Sequence, residues 1–124
     1  MNIPKHKVII SLASNSDAKA NLDEARIQLS RFISDMRFSS EIWTNPVGTK
    51  SRKRYLNQLC TGQTTIPSAE KLNMVLKDIE QLLGRTRNED GIVTIDLDLM
   101  RFDDSIHHVF DWDRDYIKKL YIEL

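Results

Sequence analysis

Six residues in the C-terminal half, Thr94-Ile95-Asp96-Leu97-Asp98-Leu99, alternate strictly between polar and apolar side chains. Successive side chains of a β-strand point to opposite faces, so Asp96 and Asp98 share one face and the apolar residues share the other. The pattern predicts a strand that buries one face in a core and presents two neighbouring carboxylates on the other. Like charges this close repel each other unless a cation neutralises them. The stretch therefore predicts both a strand and a cation site.

The length and composition are those of one globular domain covering residues 1–124. A chain of 124 residues can bury one hydrophobic core, and its 40% hydrophobic and 29% charged content is ordinary for a globular protein. Lysine plus arginine equal aspartate plus glutamate at 18 each, so no overall field favours a nucleic acid or a membrane. We therefore expect neither partner.

The single cysteine, Cys60, excludes an internal disulfide and fits a reducing compartment. No apolar run approaches 18 residues, and the N-terminus does not resemble a signal peptide. We therefore expect a cytoplasmic protein, and a monomer.

Hydrophobic periodicity predicts the order of the remaining elements. The predicted strands cover residues 8–13, 36–43, 55–61 and 93–102. The predicted helices run to about residue 34, from about residue 67 to Gly84, and briefly over residues 113–120. Gly62 is expected to end the third strand, and residues 44–54 to form a basic loop. This order favours an α+β fold, a ferredoxin-like sandwich with an antiparallel sheet and helices packed on one face.

Two arginines, Arg85 and Arg87, follow the second predicted helix shortly before the carboxylate pair. Taken alone, they could be cations near a helix C-terminus, and Asp96 and Asp98 could be a solvated strand edge. Taken together, guanidinium groups that suit phosphate oxygens and carboxylates that suit Mg²⁺ favour a magnesium–nucleotide site.

Five short motifs together resemble the 6-hydroxymethyl-7,8-dihydropterin pyrophosphokinase family, whose members move pyrophosphate from ATP to a pterin alcohol. The motifs are Ala13-Ser14-Asn15, Pro46-Val47-Gly48, Tyr55-Leu56-Asn57, Ile79-Glu80 with Gly84-Arg85-Thr86-Arg87, and Thr94-Ile95-Asp96-Leu97-Asp98. They occur in the family's order and at close to its spacing. The resemblance covers the chain from about Lys7 to the C-terminus.

The resemblance implies a role for each matching residue. Asp96 and Asp98 hold two Mg²⁺ ions, and Arg85 joins them in catalysis, in which the pterin hydroxyl attacks the β-phosphorus of ATP and expels AMP. The implied ATP-binding residues are Glu80, Arg85, Arg87, Leu99, His108 and Arg114. The implied pterin-binding residues are Thr44, Val47, Tyr55, Asn57 and Tyr116. ATP and a pterin are thus the expected small-molecule partners.

The chain also departs from the family's pattern. Val93 stands where the family carries an arginine just before the threonine of the strand, and the C-terminal region is shorter. Loss of one guanidinium from a phosphoryl-transfer site lowers turnover by about a hundredfold or more. Three hypotheses remain open: an active enzyme, a catalytically silent relative that binds nucleotide or pterin, and a non-enzymatic ferredoxin-like domain.

Overall fold

Six strands form one antiparallel sheet in the described part of the computed structural model, which comprises residues 3–46, 53–84 and 91–124. The strands are β1 (His6–Ser14), β2 (Ser34–Phe38), β3 (Ile42–Thr44), β4 (Tyr55–Thr64), β5 (Asp96–Phe102) and β6 (Ser105–Ile106). The helices are α1 (Ala18–Leu29), α2 (Ala69–Leu82) and α3 (Asp115–Tyr121), with a 3₁₀ turn over Asp111–Asp113. In these ranges no helix is both long and apolar enough to cross a membrane.

The sheet order is β2-β4-β1-β5-β6, and β3 pairs with β4 on the same edge as β2. The predicted α+β fold with an antiparallel sheet is thereby confirmed. The strand predicted over residues 36–43 is two strands, because Ser39 keeps only half of its ladder pairing. Its amide donates to the Leu59 carbonyl at 2.9 Å, but the Leu59 amide donates to the Ser39 hydroxyl at 2.9 Å, and the Ser39 carbonyl accepts from Gln58 Nε2 at 2.8 Å.

One face of the sheet is covered by α1 and α2, as predicted. The alternating apolar residues of β1 and β5 point into this core and meet the apolar stripes of both helices. Its fully buried members include Ile10, Leu12, Leu22, Leu29, Leu72, Leu76, Ile95 and Leu99. Each such side chain contributes about 1.5–3 kcal/mol relative to an exposed one, so this layer is the main source of the fold's stability.

The other face is covered over only part of its area, by the short helix α3. Ile117 and Leu120 of this helix pack on Ile9, Leu59 and Met100 of the sheet. The chain end is held in place where Glu123 accepts hydrogen bonds from the amide and the hydroxyl of Ser40, each at 2.8 Å. Within the described ranges no further helix packs on this face.

Gly62 lies inside β4, so the prediction that it ends the strand was wrong. It pairs with Val8 of β1, and the strand continues to Thr64. A Cβ atom at Gly62 would lie 2.5 Å from Ile33 Cγ2 and 2.9 Å from the Ser34 carbonyl oxygen. A glycine is therefore required here by the close approach of the chain that follows α1.

Gly62→Ala should lower the free energy of unfolding by about 1–3 kcal/mol, because the added methyl group forces β2 away from β4. Urea denaturation measures the change. Gln63→Ala, at the next and partly exposed position, is the matched control and should change stability by less than about 0.5 kcal/mol. Equal stability of Gly62→Ala and the unmodified protein would contradict this close packing.

Candidate active site

The open face of the sheet holds a cleft at the ends of β1, β4 and β5. The register places Ala13 of β1 between Asn57 and Asp96, and Ser11 between Leu59 and Asp98. Because the central strand carries only small side chains here, the larger side chains of the flanking strands face each other across a hollow. The cleft has a volume of about 760 Å³, which is within the usual range for small-molecule sites.

This cleft is lined by most of the described residues that were predicted from the sequence to bind a ligand or a metal. They are Thr44, Tyr55, Asn57, Asp96, Asp98, Arg114 and Tyr116. His108 joins them through its Nε2 atom, which lies 3.8 Å from Asp98 Oδ1. Three further predicted residues, Val47, Arg85 and Arg87, lie outside the described residues. The structure therefore brings the predicted metal, pterin and C-terminal nucleotide residues to one place.

Asp96 and Asp98 point into the cleft, on the opposite face of β5 from the buried leucines. The pKa of Asp98 is raised to about 6, chiefly by burial and then by the neighbouring charge of Asp96, while His108 acts in the opposite direction. A hard cation would suit this partly buried carboxylate pair, because its positive charge would remove the repulsion between Asp96 and Asp98.

In the described ranges no group of three or more aspartate, glutamate, histidine or cysteine side chains could hold a metal ion. Mg²⁺ is commonly bound by one or two carboxylates, with phosphate oxygens and waters completing its coordination. The donor set thus fits a magnesium ion that arrives with a phosphate ligand.

Asn57 is 3% exposed, and its amide group is held in one orientation by β3 and β4. Its Nδ2 atom donates to Thr44 Oγ1 at 2.8 Å, to the Tyr55 carbonyl at 3.1 Å and to the Ile42 carbonyl at 3.2 Å. Among the described residues no donor meets Oδ1. The side chain can therefore present a fixed acceptor to a ligand.

Three aromatic side chains line the cleft: Trp43, Tyr55 and Tyr116. Burial raises the pKa of Tyr116, so its hydroxyl stays protonated at neutral pH. Trp43 is 48% exposed, and the Arg54 guanidinium carbon lies 5.8 Å from its ring centroid. The sequence motifs indicated no ligand contact for Trp43 or Arg54, and only their places beside Thr44 and Tyr55 could have done so.

Glu80 and Leu99, both predicted to bind ATP, do not line the cleft. Glu80 is a buried residue of α2, and its carboxylate accepts a hydrogen bond from the Leu97 amide at 2.8 Å. It therefore holds the carboxylate-bearing strand against the helix. Leu99 is 0% exposed within the core. An ATP contact of either residue stays a prediction, and these positions do not favour it.

Asn15 anchors the segment that leads into β5. Its Nδ2 donates to the Gly91 carbonyl at 2.7 Å, its Oδ1 accepts from the Val93 amide at 2.6 Å, and its own amide donates to the Val93 carbonyl at 3.0 Å. Gly91 has φ +75°, a conformation that favours glycine. Val93 is thereby fixed in the cleft lining, at the position where an arginine was expected.

The antiparallel sheet and its packed helices define an α+β domain of the ferredoxin-like class. Its cleft brings a carboxylate pair and an oriented amide together. The chain belongs to the 7,8-dihydro-6-hydroxymethylpterin-pyrophosphokinase family, whose sequence model matches residues 9–124. It is also 30% identical, over 130 aligned positions, to the folate synthesis bifunctional protein of Arabidopsis thaliana. That alignment takes in 95% of this chain and 27% of that protein, so the chain spans about a quarter of its relative.

Asp98→Asn should be more stable than the unmodified protein at neutral pH. The carboxyl of Asp98 has a pKa of about 6 in the fold against its ordinary value of 3.8, so the stabilisation that the protonated carboxyl contributes is complete below pH 3.8 and is lost as the pH rises through 6. The difference should be about 1–3 kcal/mol near pH 7.5 and should vanish near pH 4.

Urea denaturation across this pH range, in the absence of divalent cations, measures the difference. Asp104→Asn, which changes a fully exposed carboxylate outside the cleft, is the control and should show no such pH dependence. A lower stability of Asp98→Asn at neutral pH would contradict the burial of this charge.

Proposed function

We propose that the chain transfers pyrophosphate from ATP to 6-hydroxymethyl-7,8-dihydropterin, in folate biosynthesis. The observation that carries the proposal is the register of β1, β4 and β5, which sets Asn57 and Asp96 on either side of Ala13 in one cleft. The Asn57 amide can hydrogen-bond to a heterocycle, and the Asp96 carboxylate can hold a metal ion. The two groups lie close enough for the two substrates to meet. Membership of the pyrophosphokinase family supports the same reaction.

In this proposal Asp96 and Asp98 hold two Mg²⁺ ions. When bound, the ions supply charge neutralisation at the phosphates and lower the pKa of the pterin hydroxyl. The carboxylates themselves fix where the triphosphate and the hydroxymethyl group can approach each other. The protein supplies no covalent nucleophile, and its contribution is positioning and electrostatic stabilisation.

The pterin lies at the β3–β4 side of the cleft in this proposal. Asn57 Oδ1 accepts hydrogen bonds from the donor edge of the ring, and the Asn57–Thr44 hydrogen bond of 2.8 Å keeps that acceptor in place. Tyr55 and Tyr116 give the ring aromatic contacts, which add to the free energy of binding beyond the buried area. Val47 is proposed as a further backbone contact.

ATP lies on the C-terminal side in this proposal, where His108 Nε2 is 3.8 Å from Asp98 Oδ1 and Arg114 lines the same cleft. Arg114 binds phosphate oxygens, and Arg85 and Arg87 are proposed to join it, with Arg85 stabilising the charge that develops during transfer. Glu80 and Leu99 are proposed to act on the nucleotide only through the backbone that they hold. Cys60 is buried and its pKa is raised to about 12, which supports a structural role for this thiol. The chain is proposed to act as a cytoplasmic monomer.

The second candidate is a relative that binds nucleotide or pterin without turnover. The observation that favours it is Val93, which lines the cleft and brings no charge to the phosphates. Both candidates require binding, and only the first requires the release of AMP.

Purified protein incubated with ATP, Mg²⁺ and 6-hydroxymethyl-7,8-dihydropterin should release AMP in a 1:1 ratio to the pterin diphosphate. Asp96→Ala should lower the rate by about a hundredfold or more, because the cation loses a ligand. Asp104→Asn, outside the cleft, should retain the full rate. AMP release no faster than without enzyme would exclude the first candidate, and calorimetric titration with Mg²⁺ and a non-hydrolysable ATP analogue would then test the second.

Val93→Arg should raise turnover by about ten- to a hundredfold, because it places a guanidinium in the cleft lining where phosphates are proposed to lie. The fold should be unaffected, since Asn15 binds the backbone of residue 93 and not its side chain. Val93→Met, which is similar in length but uncharged, is the control and should give no gain. An unchanged rate in Val93→Arg would show that the missing arginine does not limit the reaction.

A further inference from the structure

Three polar residues, His108, Asp111 and Arg114, are spaced three apart along the segment that enters α3. The Asp111 amide donates to the His108 carbonyl at 2.9 Å, and the Arg114 amide donates to the Asp111 carbonyl at 3.1 Å. These are two consecutive i→i+3 turns, and the second one is the 3₁₀ turn Asp111–Asp113. The turns bring the three side chains close to one another.

Asp111 contacts both of its neighbours in this row, with one carboxylate oxygen for each. Its Oδ1 accepts from Arg114 Nε at 2.9 Å, and its Oδ2 lies 3.8 Å from His108 Nδ1. The other ring nitrogen of His108, Nε2, lies 3.8 Å from Asp98 Oδ1. Asp111 thus links the arginine to the imidazole, which in turn faces the carboxylate pair.

The geometry at Arg114 leaves the two terminal nitrogens of its guanidinium group available to a ligand. Asp111 engages Nε, and in the described ranges the two terminal nitrogens make no ion pair. A guanidinium held at Nε has a fixed plane, and its terminal nitrogens can then bind phosphate oxygens with less loss of side-chain freedom.

We infer that Asp111 is a positioning residue that orients Arg114 and His108 toward the phosphates of a nucleotide in the cleft. The inference rests on the proposed function in so far as a nucleotide occupies the cleft. Nothing in the motifs of the sequence indicated Asp111, because its role depends on these two turns.

The opposite effect, in which Asp111 repels the phosphates, is weaker on physical grounds. The Asp111 side chain is 35% exposed and is paired with the Arg114 guanidinium, so solvent and this neighbour screen its charge. The loss of orientation at Arg114 is not screened in this way. Asp113 provides the matched comparison, because it lines the same cleft on the same turn and makes no ion pair with a described residue.

The test compares Asp111→Ala, Asp111→Asn and Asp113→Ala in calorimetric titrations with Mg²⁺ and a non-hydrolysable ATP analogue. Asp111→Ala should bind the analogue about three- to tenfold more weakly. Asp111→Asn keeps an oxygen that can accept from Arg114 Nε, so its dissociation constant should return to within about twofold of the original. Asp113→Ala should also stay within about twofold. In the pterin assay, Asp111→Ala should raise the KM for ATP and change kcat by less than about twofold.

A second measurement needs no nucleotide. The Arg114 Nε–H resonance should exchange with solvent about tenfold faster in Asp111→Ala than in the unmodified protein, and Asp113→Ala should not change it. Unchanged exchange in Asp111→Ala overturns the inference.

Equal or tighter binding by Asp111→Ala also overturns the inference, and so does equal weakening by the two alanine variants. If the unmodified protein binds no nucleotide, the proposed function fails and this inference with it. If it binds and Asp111→Ala binds equally well, only the inference fails.

Discussion

The antiparallel pairing of β1 with both β4 and β5 is the constraint on which the site depends. It sets Asn57, Ala13 and Asp96 in one row across three strands. Because side chains alternate along a strand, a slip of one residue would turn the carboxylates into the core and the leucines toward the cleft. The hydrophobic core under α1 and α2 resists such a slip, since it buries the alternate residues of the same strands. The core thus fixes the site without contributing a side chain to it.

The open face of the sheet has one area that packs against α3 and stabilises the fold, and a second area that lines the cleft. Where α3 packs, the face carries the apolar residues Ile9, Leu59 and Met100. β1 carries the small residues Ser11, which pairs with Leu59, and Ala13, and both line the cleft. The boundary between these two areas lies at Asp98, which is why burial raises its pKa to about 6. A protein keeps a destabilising charge of this kind where binding requires it.

Sequence patterns predicted those features that depend on local alternation. The strand of Asp96 and Asp98 and the two packed helices follow from periods of 2 and 3.6 residues. Features that depend on contacts between distant segments were not predictable in this way. Gly62 has no local signal for the strand interior, because the atoms that exclude a Cβ belong to residues 33 and 34. Glu80 matched a nucleotide-binding position by resemblance, yet its carboxylate is bound to the backbone of Leu97.

The charge of the cleft gives a reason why metal and nucleotide should bind together. Its described lining contains five aspartates and two arginines. The aspartates are Asp96, Asp98, Asp111, Asp113 and Asp115, and the arginines are Arg54 and Arg114. A triphosphate entering such a lining alone would be repelled, because the low-dielectric walls strengthen the interaction of like charges. Under the proposed function, a triphosphate that carries divalent cations would bring positive charge to Asp96 and Asp98 and would gain their oxygens as ligands. This carboxylate pair would therefore favour the magnesium complex over the free triphosphate.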